Sequence, residues 1–451
     1  MKKVTFFSLI CLFLLSVESN AQNSDKTVQS VNEAVGAIKS LFGKKKTAAE
    51  AVVNTNKNLT IFKMVIRADV KKIACDYLGE FNLGAAVITQ GLNYALIDST
   101  GAFIVPFGRF TGIDDSKEDF RGSGFFIATG VDAVGNPKTY YINAQGKIVV
   151  DLAVYPGFTH GLTNDKKFIV LQGRDYKANA EQPVFAFGRD GTRYSLGLTA
   201  NNTYEAVDAL NDSVLVFKNQ GLFGAKNLKN QVIIQPVFYS LRPFHDGAAI
   251  FSQLDGLRNR LFGIVTKTGK IIVQPSLPRQ PDDYQDGVTA IARNDIYEYI
   301  DRDGRTFFRT PHSGSPEHFT GEFAFGGVRV LDRSGKLVNN ETFLQSIGID
   351  PASFYNFELG NGSIVRYNND YLAWIYAYTS VQRQKYLGFY NMKTGKTLFG
   401  IPYGAITRNC LDPVAQRMRL KIETGTKDRY GLPIVIDGYI NPNGEFVIIK
   451  G

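Results

Sequence analysis

The chain has 451 residues, 44% of them hydrophobic and 21% charged, a balance that belongs to a folded protein rather than a disordered or coiled-coil one. Three cysteines, four histidines and one tryptophan argue against a cysteine-rich zinc protein, a haem protein and a disulfide-stapled miniprotein. The net charge of +9 invites a polyanion as partner, and the position of that charge along the chain tests the idea.

Residues 1–21 read as a secretory signal: Lys2 and Lys3, an apolar run from Val4 to Val17, then Ser19-Asn20-Ala21 as a small-residue cleavage site. The run is short for a bilayer span, which disfavours an uncleaved anchor. Cys11 lies inside it after Ser8-Leu9-Ile10, which departs from the lipoprotein pattern. Cleavage near Ala21 places the mature chain outside the cell or in the periplasm or cell envelope. Lys2, Lys3 and Glu18 leave with the signal, which takes the net charge to +8. Ten cations against four anions between Gln22 and Lys72 hold +6 of it. The remainder is close to neutral, so no nucleic acid is expected as partner.

Residues 22–58 read as a basic helical leader. Val28, Val31, Val35, Ile38 and Phe42 form one helical stripe, Gly43 can end it, and Lys44 to Lys46 suit its negative end. Thr47 and Glu50 have capping-box spacing before Ala51-Val52-Val53. The stripe either docks on the main domain or serves as an amphipathic arm that touches an anionic membrane surface or a second copy.

Internal similarity fills the rest. The run from Leu222 to Pro236 aligns without a gap on that from Leu261 to Pro275, and shorter copies begin at Ile296, Tyr94 and Tyr439. Gly101, Gly146, Gly191, Asn230, Gly269, Gly304, Gly335, Gly395 and Gly444 mark nine turns, spaced 31 to 60 residues apart. Apolar pairs before each turn and β-branched triplets after it, such as Ile271-Ile272-Val273, predict hairpins. Three residues before the turn stands Asp98, Asn143, Asn227, Asp301, Asp332 or Asn441, whose oxygen can accept from loop N–H groups. An aromatic-x-x-Gly phrase ahead of the hairpin, as in Phe244-His245-Asp246-Gly247, adds a third strand, and His160 and His245 fall in two copies of it. Such units cannot bury a face alone, so neighbours must stack.

These phrases resemble the WG repeat, named for a Trp-Gly pair. The likeness covers roughly 81–338 and returns at about 387–449, with Phe223, Phe262, Tyr297 and Tyr94 in place of the tryptophan. The resemblance implies a β-repeat interaction scaffold and transfers no catalytic residue. The fold expected is all-β, a stacked array over 59–345 completed by divergent repeats in 346–451, behind a short amphipathic helix. Uneven spacing leaves open a propeller-like ring or an open twisted array.

Chemical signals are few. Asp301-Arg302-Asp303-Gly304 resembles part of a calcium loop, but turn geometry explains its recurrence. His312 and His318 frame a Pro- and Gly-containing loop without a third ligand, and no metal or other cofactor is expected. Cys75 and Cys410 are either two separate buried thiols or a staple across the array, worth at most about 5–6 kcal/mol by chain entropy. In Tyr371 to Tyr378 the residues Trp374, Tyr376 and Tyr378 alternate along a strand, as core or as an aromatic platform for glycan or peptide. The function expected is an exported, non-enzymatic binding scaffold whose partner is an envelope or extracellular protein or a glycan. The alternative is a carbohydrate- or peptide-processing enzyme with carboxylates gathered from several repeats.

Overall fold

A computed structural model describes residues 65–451 apart from 115–117, 174–180, 200–203, 312–317, 321–322, 327–328, 339–353, 368–369, 380–384, 392–395 and 402–410. The signal, the leader with its expected helix, His312, Gly395 and Cys410 lie outside the described residues. Among the described residues nine sheets follow one another along the chain, and the eight described turn positions read from the sequence fall one to a sheet. Most have four strands rather than three, because a short inner strand precedes the aromatic-x-x-Gly turn.

The first sheet is Tyr77–Asn82, Ala85–Gln90, Asn93–Ile97 and Phe103–Val105, and the second Gly112–Asp114, Phe125–Val131, Pro137–Asn143 and Ile148–Asp151. The third comprises Thr159–Leu162, Phe168–Gln172, Glu181–Gly188 and Arg193–Thr199. Leu210–Asn211, Val214–Asn219, Leu222–Asn227 and Val232–Phe238 make the fourth; Ser240–Leu241, Ala248–Leu254, Arg260–Thr266 and Ile271–Leu277 make the fifth. The sixth and seventh have three strands each, over Thr289–Arg293, Ile296–Ile300 and Thr306–Pro311, then His318–Thr320, Phe323–Gly326 and Arg329–Asp332. The eighth holds Phe354–Tyr367, Asp370–Thr379, Lys385–Asn391 and Lys396–Ile401. The ninth orders Met418–Lys427, Pro433–Ile440 and Glu445–Lys450, and its outer strand is Val65–Ile73 from the start of the described chain, paired in parallel.

The core lies between sheets. Along Val214–Asn219, Leu215 and Phe217 pack toward Phe168, Val170 and Leu196 of the third sheet, while Val214 and Val216 meet Leu241, Phe244 and Phe251 of the fifth. Alternation thus divides one strand between two neighbours, which is why these strands read as continuous apolar runs. The same division sends Ala85 and Val87 to the second sheet and Ala86 and Ile88 to the ninth.

Six of the described turns close by one device. Asp98 Oδ1 accepts from the N–H of Thr100 and Ala102 at 2.8 and 3.0 Å, and Gly101 N–H donates back to the Asp98 carbonyl at 2.9 Å. Asn143, Asn227, Asp301, Asp332 and Asn441 repeat the pattern in their own loops. Partial burial pushes the Asp98 carboxyl up, but the Thr100 hydroxyl and the N–H donors outweigh it and hold it below the ordinary 3.8. Its contribution is therefore present above that value and lost as pH falls through the lowered one. Asp98→Asn keeps the acceptor, as Asn143 does, and is expected to flatten the acid limb of stability below pH 3.8, read by denaturant titration between pH 5 and 2.

The glycine of the aromatic-Gly pair has a different cause. A Cβ at Gly263 would stand 2.6 Å from the Val273 carbonyl oxygen and 2.5 Å from the Phe251 ring, and one at Gly224 would stand 2.5 Å from the Ile234 carbonyl. The fourth strand crosses the third there, and the ladder shifts register between Phe262 and Ile264. At the turn, Gly269 has φ +85° but open space, its nearest atom being 3.7 Å away. Gly263→Ala is expected to cost about 2–3 kcal/mol by overpacking and Gly269→Ala about 1 kcal/mol, compared by urea unfolding.

Candidate interaction surface

The turn joining the first two strands of a unit carries a polar side chain that clasps the next unit. Asn82 Oδ1 accepts from Gly124 N–H at 2.8 Å while its Nδ2 donates to the Phe125 carbonyl at 2.9 Å. Asp165 accepts from Asp212 N–H at 2.8 Å, and Asp246 accepts from Gly287 N–H and Arg302. Asp412 accepts from Leu83 N–H (2.5 Å) and Gly84 N–H (3.1 Å) of the first sheet and from Val414 and Ala415 in its own loop. Burial pushes its carboxyl up against the pull of those donors. Between the second and third units Arg189 donates instead, to the Ser123 carbonyl.

The turns between the last two strands also rest on the preceding unit. A Cβ at Gly146 would meet Val105 at 2.5 Å, and one at Gly304 would meet the Ile272 carbonyl at 2.9 Å. At Gly101 the atoms met are Lys71 and Ile73, so Val65–Ile73 stands where a preceding unit would. Further contacts join the ninth sheet to the first. Tyr439 OH donates to the Gly79 carbonyl at 2.5 Å, Lys450 Nζ to the Asp76 carbonyl at 2.7 Å and Arg417 to the Ser99 carbonyl at 3.2 Å. Tyr439 and Ile448 share a core with Ile73, Cys75, Leu78, Ala86 and Ile88, and Phe81 meets the Tyr439 ring edge-on at 4.7 Å.

Three cations of the charged segment from Gln22 to Lys72, namely Arg67, Lys71 and Lys72, lie in a strand of the ninth sheet. Arg67 pairs with Asp69 and Glu445, and Lys71 Nζ donates to the Gly101 carbonyl at 2.8 Å.

The polar cluster at the fourth to sixth units is the best defined. Arg242 pairs with Asp283 at 2.7 Å, and His245 Nε2 lies 3.8 Å from the same carboxylate. The Asn211 amide nitrogen is 3.2 Å from His245 Nδ1, while its buried oxygen finds no partner. A small hollow beside it is lined by Asp282, Asp283, Gln285, Thr289, Tyr299 and Phe319, among others. Asp165 and Asp212 both reach Lys167 Nζ, at 3.6 and 3.2 Å, an ion-pair network across a junction.

The residues singled out from sequence are dispersed. Gly101, Gly146, Gly191, Asn230, Gly269, Gly304, Gly335 and Gly444 all have positive φ, and each lies at its own turn. Asp301 spends its Oδ1 on the N–H groups of Asp303 and Arg305, as the turn reading requires. His245 lies in its aromatic-x-x-Gly turn, but His160 does not: it sits in the strand Thr159–Leu162, with Nδ1 2.7 Å from Tyr141 OH. Burial pushes that tyrosine up to about 12. Cys75 is a buried thiol, and burial pushes it up too. Trp374, Tyr376 and Tyr378 occupy alternate positions of Asp370–Thr379, in register with Phe389, Leu387 and Lys385.

Sequence reasoning missed the clasps and a second set of Asx turns, at Asp132, Asp255 and Asp428 between the second and third strands. Asp132-x-x-Gly135 and Asp428-x-x-Gly431 carried the same spacing as Asp98-x-x-Gly101.

The geometry defines an all-β repeat protein whose units are tied turn to turn. Residues 223–257, from the third strand of the fourth sheet into the fifth, match the family model of the WG containing repeat, so this segment of the chain carries that repeat. No curated protein matches the sequence. Among solved structures it is similar to dipeptidyl peptidase 4 of Porphyromonas gingivalis (TM-score 0.36, 9% identity, 80% of this chain and 64% of that one). A eukaryotic initiation factor is similar at TM-score 0.35 and 10% identity, over 77% and 91% of the two chains. The WD40 domain of Toxoplasma gondii coronin follows at 0.23 and 11%, over 55% and 74%. At such scores none of them fixes the fold or activity of this chain.

Proposed function

We propose that this protein is an exported, non-enzymatic binding scaffold whose sheets close into a propeller-like ring. The observation that carries the reading is the shared core and clasp between the ninth and first sheets, which repeats the junctions between consecutive units. Closure of this kind removes the free ends of a stacked array and presents the turns as two rims, a form suited to holding partners. The approach of Asp165 to Asp212 is spent on Lys167 and a backbone N–H, which supports a structural use of the carboxylates. The partner is an envelope or extracellular protein, or a glycan met by the Trp374, Tyr376 and Tyr378 face, and the basic leader touches an anionic surface.

Pull-down from envelope extract with the mature chain, with and without residues 22–58, tests this. Recovery of the same partners by both forms is expected if the repeat surface binds. Recovery by neither overturns the scaffold reading, and recovery only with the leader moves binding to the arm.

A further inference from the structure

Three strands of the fifth sheet bring two hydroxyls and a guanidinium together. Ser240, Ser252 and Phe262 are cross-strand partners on Ser240–Leu241, Ala248–Leu254 and Arg260–Thr266, and Arg260 stands two residues before Phe262, on the same side of its strand. Ser252 is fully buried, and its Oγ lies 2.6 Å from Ser240 Oγ. Arg260 Nε donates to Ser252 Oγ at 3.0 Å, and its Nη2 donates to Ser240 Oγ at 2.6 Å. The guanidinium carbon is 5.0 Å from the centre of the Phe262 ring and 5.7 Å from that of Tyr239, whose side chain is half-exposed.

The hydroxyls hold one edge of the guanidinium and leave the fork formed by Nη1 and Nη2 directed away from them. They are neutral, and among the described residues no carboxylate lies within ion-pair distance of Arg260. Asp255, the nearest acid along the chain, accepts from Leu257 N–H and from Asn259 in its own loop, and Asp283 pairs with Arg242. The repeat does not require this arrangement. Where Ser252 faces Phe262, other units place Thr89 opposite Tyr94, Lys218 opposite Phe223 and Ala292 opposite Tyr297.

We propose that Arg260 anchors a binding site for acidic glycans, taking the carboxylate of a uronate sugar on its open fork and the sugar ring against Tyr239. A single uncompensated cation matches a monoanion, and the planar fork matches a carboxylate bidentately. The half-exposed tyrosine ring offers a face on which the C–H side of a pyranose packs. An extended peptide would seek backbone donors beside the fork, but the Tyr239 and Arg242 N–H groups already donate to the Ser252 and Ile250 carbonyls. The site goes beyond the scaffold reading and uses none of the residues that carry it, so the two stand or fall separately.

The test is calorimetric titration of the mature chain with trigalacturonate, with neutral trigalactose and an aspartate-containing tripeptide as comparison probes. The wild type is expected to bind trigalacturonate and to prefer it to both. Arg260→Lys, which keeps the charge and loses the fork, is expected to bind at least about 10-fold more weakly, and Arg260→Gln more weakly still. Tyr239→Ala is expected to bind about 5-fold more weakly. The Arg260 variants are expected to unfold at the wild-type urea midpoint, which separates lost recognition from lost folding, and Arg260→Lys keeps the stem that packs on Phe262. Failure of the wild type to bind trigalacturonate would overturn the proposal. So would undiminished binding by Arg260→Gln, equal binding of the neutral sugar, or a preference for the acidic peptide.

Discussion

Replacing Asp412 with alanine is expected to lower the unfolding free energy by about 3 kcal/mol or more, measured by urea denaturation. Asp412 is 5% exposed, and its two oxygens take four backbone N–H groups, two in the first sheet and two in its own loop. Alanine leaves these donors facing a small space that offers no replacement acceptor of the same reach. Asp412→Asn separates acceptor from charge. One amide oxygen can keep the bonds that Oδ1 makes, as Asn82 keeps its bond to Gly124, while the amide nitrogen faces Leu83 N–H and repels it. A loss of about 1–2 kcal/mol is therefore expected for asparagine. Equal stability of the alanine variant and the wild type would remove Asp412 from the junction.

Tyr439→Ala is expected to cost about 3–5 kcal/mol, and Tyr439→Phe about 1–2 kcal/mol. Tyr439 is fully buried, packs edge-on against Phe81, and gives its hydroxyl proton to the Gly79 carbonyl. Phenylalanine keeps the ring and strands that carbonyl; alanine also opens a cavity between two sheets. Hydrogen exchange separates this from general weakening. With alanine, the N–H groups of Ala86, Ile88 and Ala95 are expected to lose more protection than those of Val216 and Ala225 in the fourth sheet, whose core Tyr439 does not touch.

The turns were legible in the sequence because their chemistry is local. An acceptor side chain, two intervening residues and a position tolerant of positive φ define the loop at Asp98–Gly101 and again at Asn441–Gly444, whatever surrounds them. The inner strands were harder to read. Leu210–Asn211 and Ser240–Leu241 are two residues long and carry no periodicity, so units of four strands read as three. The strand Val65–Ile73 carries Arg67, Lys71 and Lys72 among its apolar residues and so shows no clean strand pattern. Its place is set by Glu445–Lys450, far along the chain, and no local pattern announces a parallel partner there. The clasps were hidden for a related reason. Asn82 and Asp412 look like ordinary turn residues until the neighbouring unit brings its N–H groups within reach. His160 shows the opposite error, since a phrase that resembles a turn was drawn into a strand by pairing with Phe168–Gln172.

The claim on which the reading depends is that the two ends of the described chain meet within one sheet. Lys72 and Ile449 are register partners on adjacent strands, within the span that a disulfide bridges. Peptide mapping of the Lys72→Cys, Ile449→Cys variant under non-reducing conditions tests the meeting directly. An intramolecular disulfide between the first and last peptides of the array is expected. Free thiols at both positions after oxidation, or bonds formed only between molecules, would contradict it.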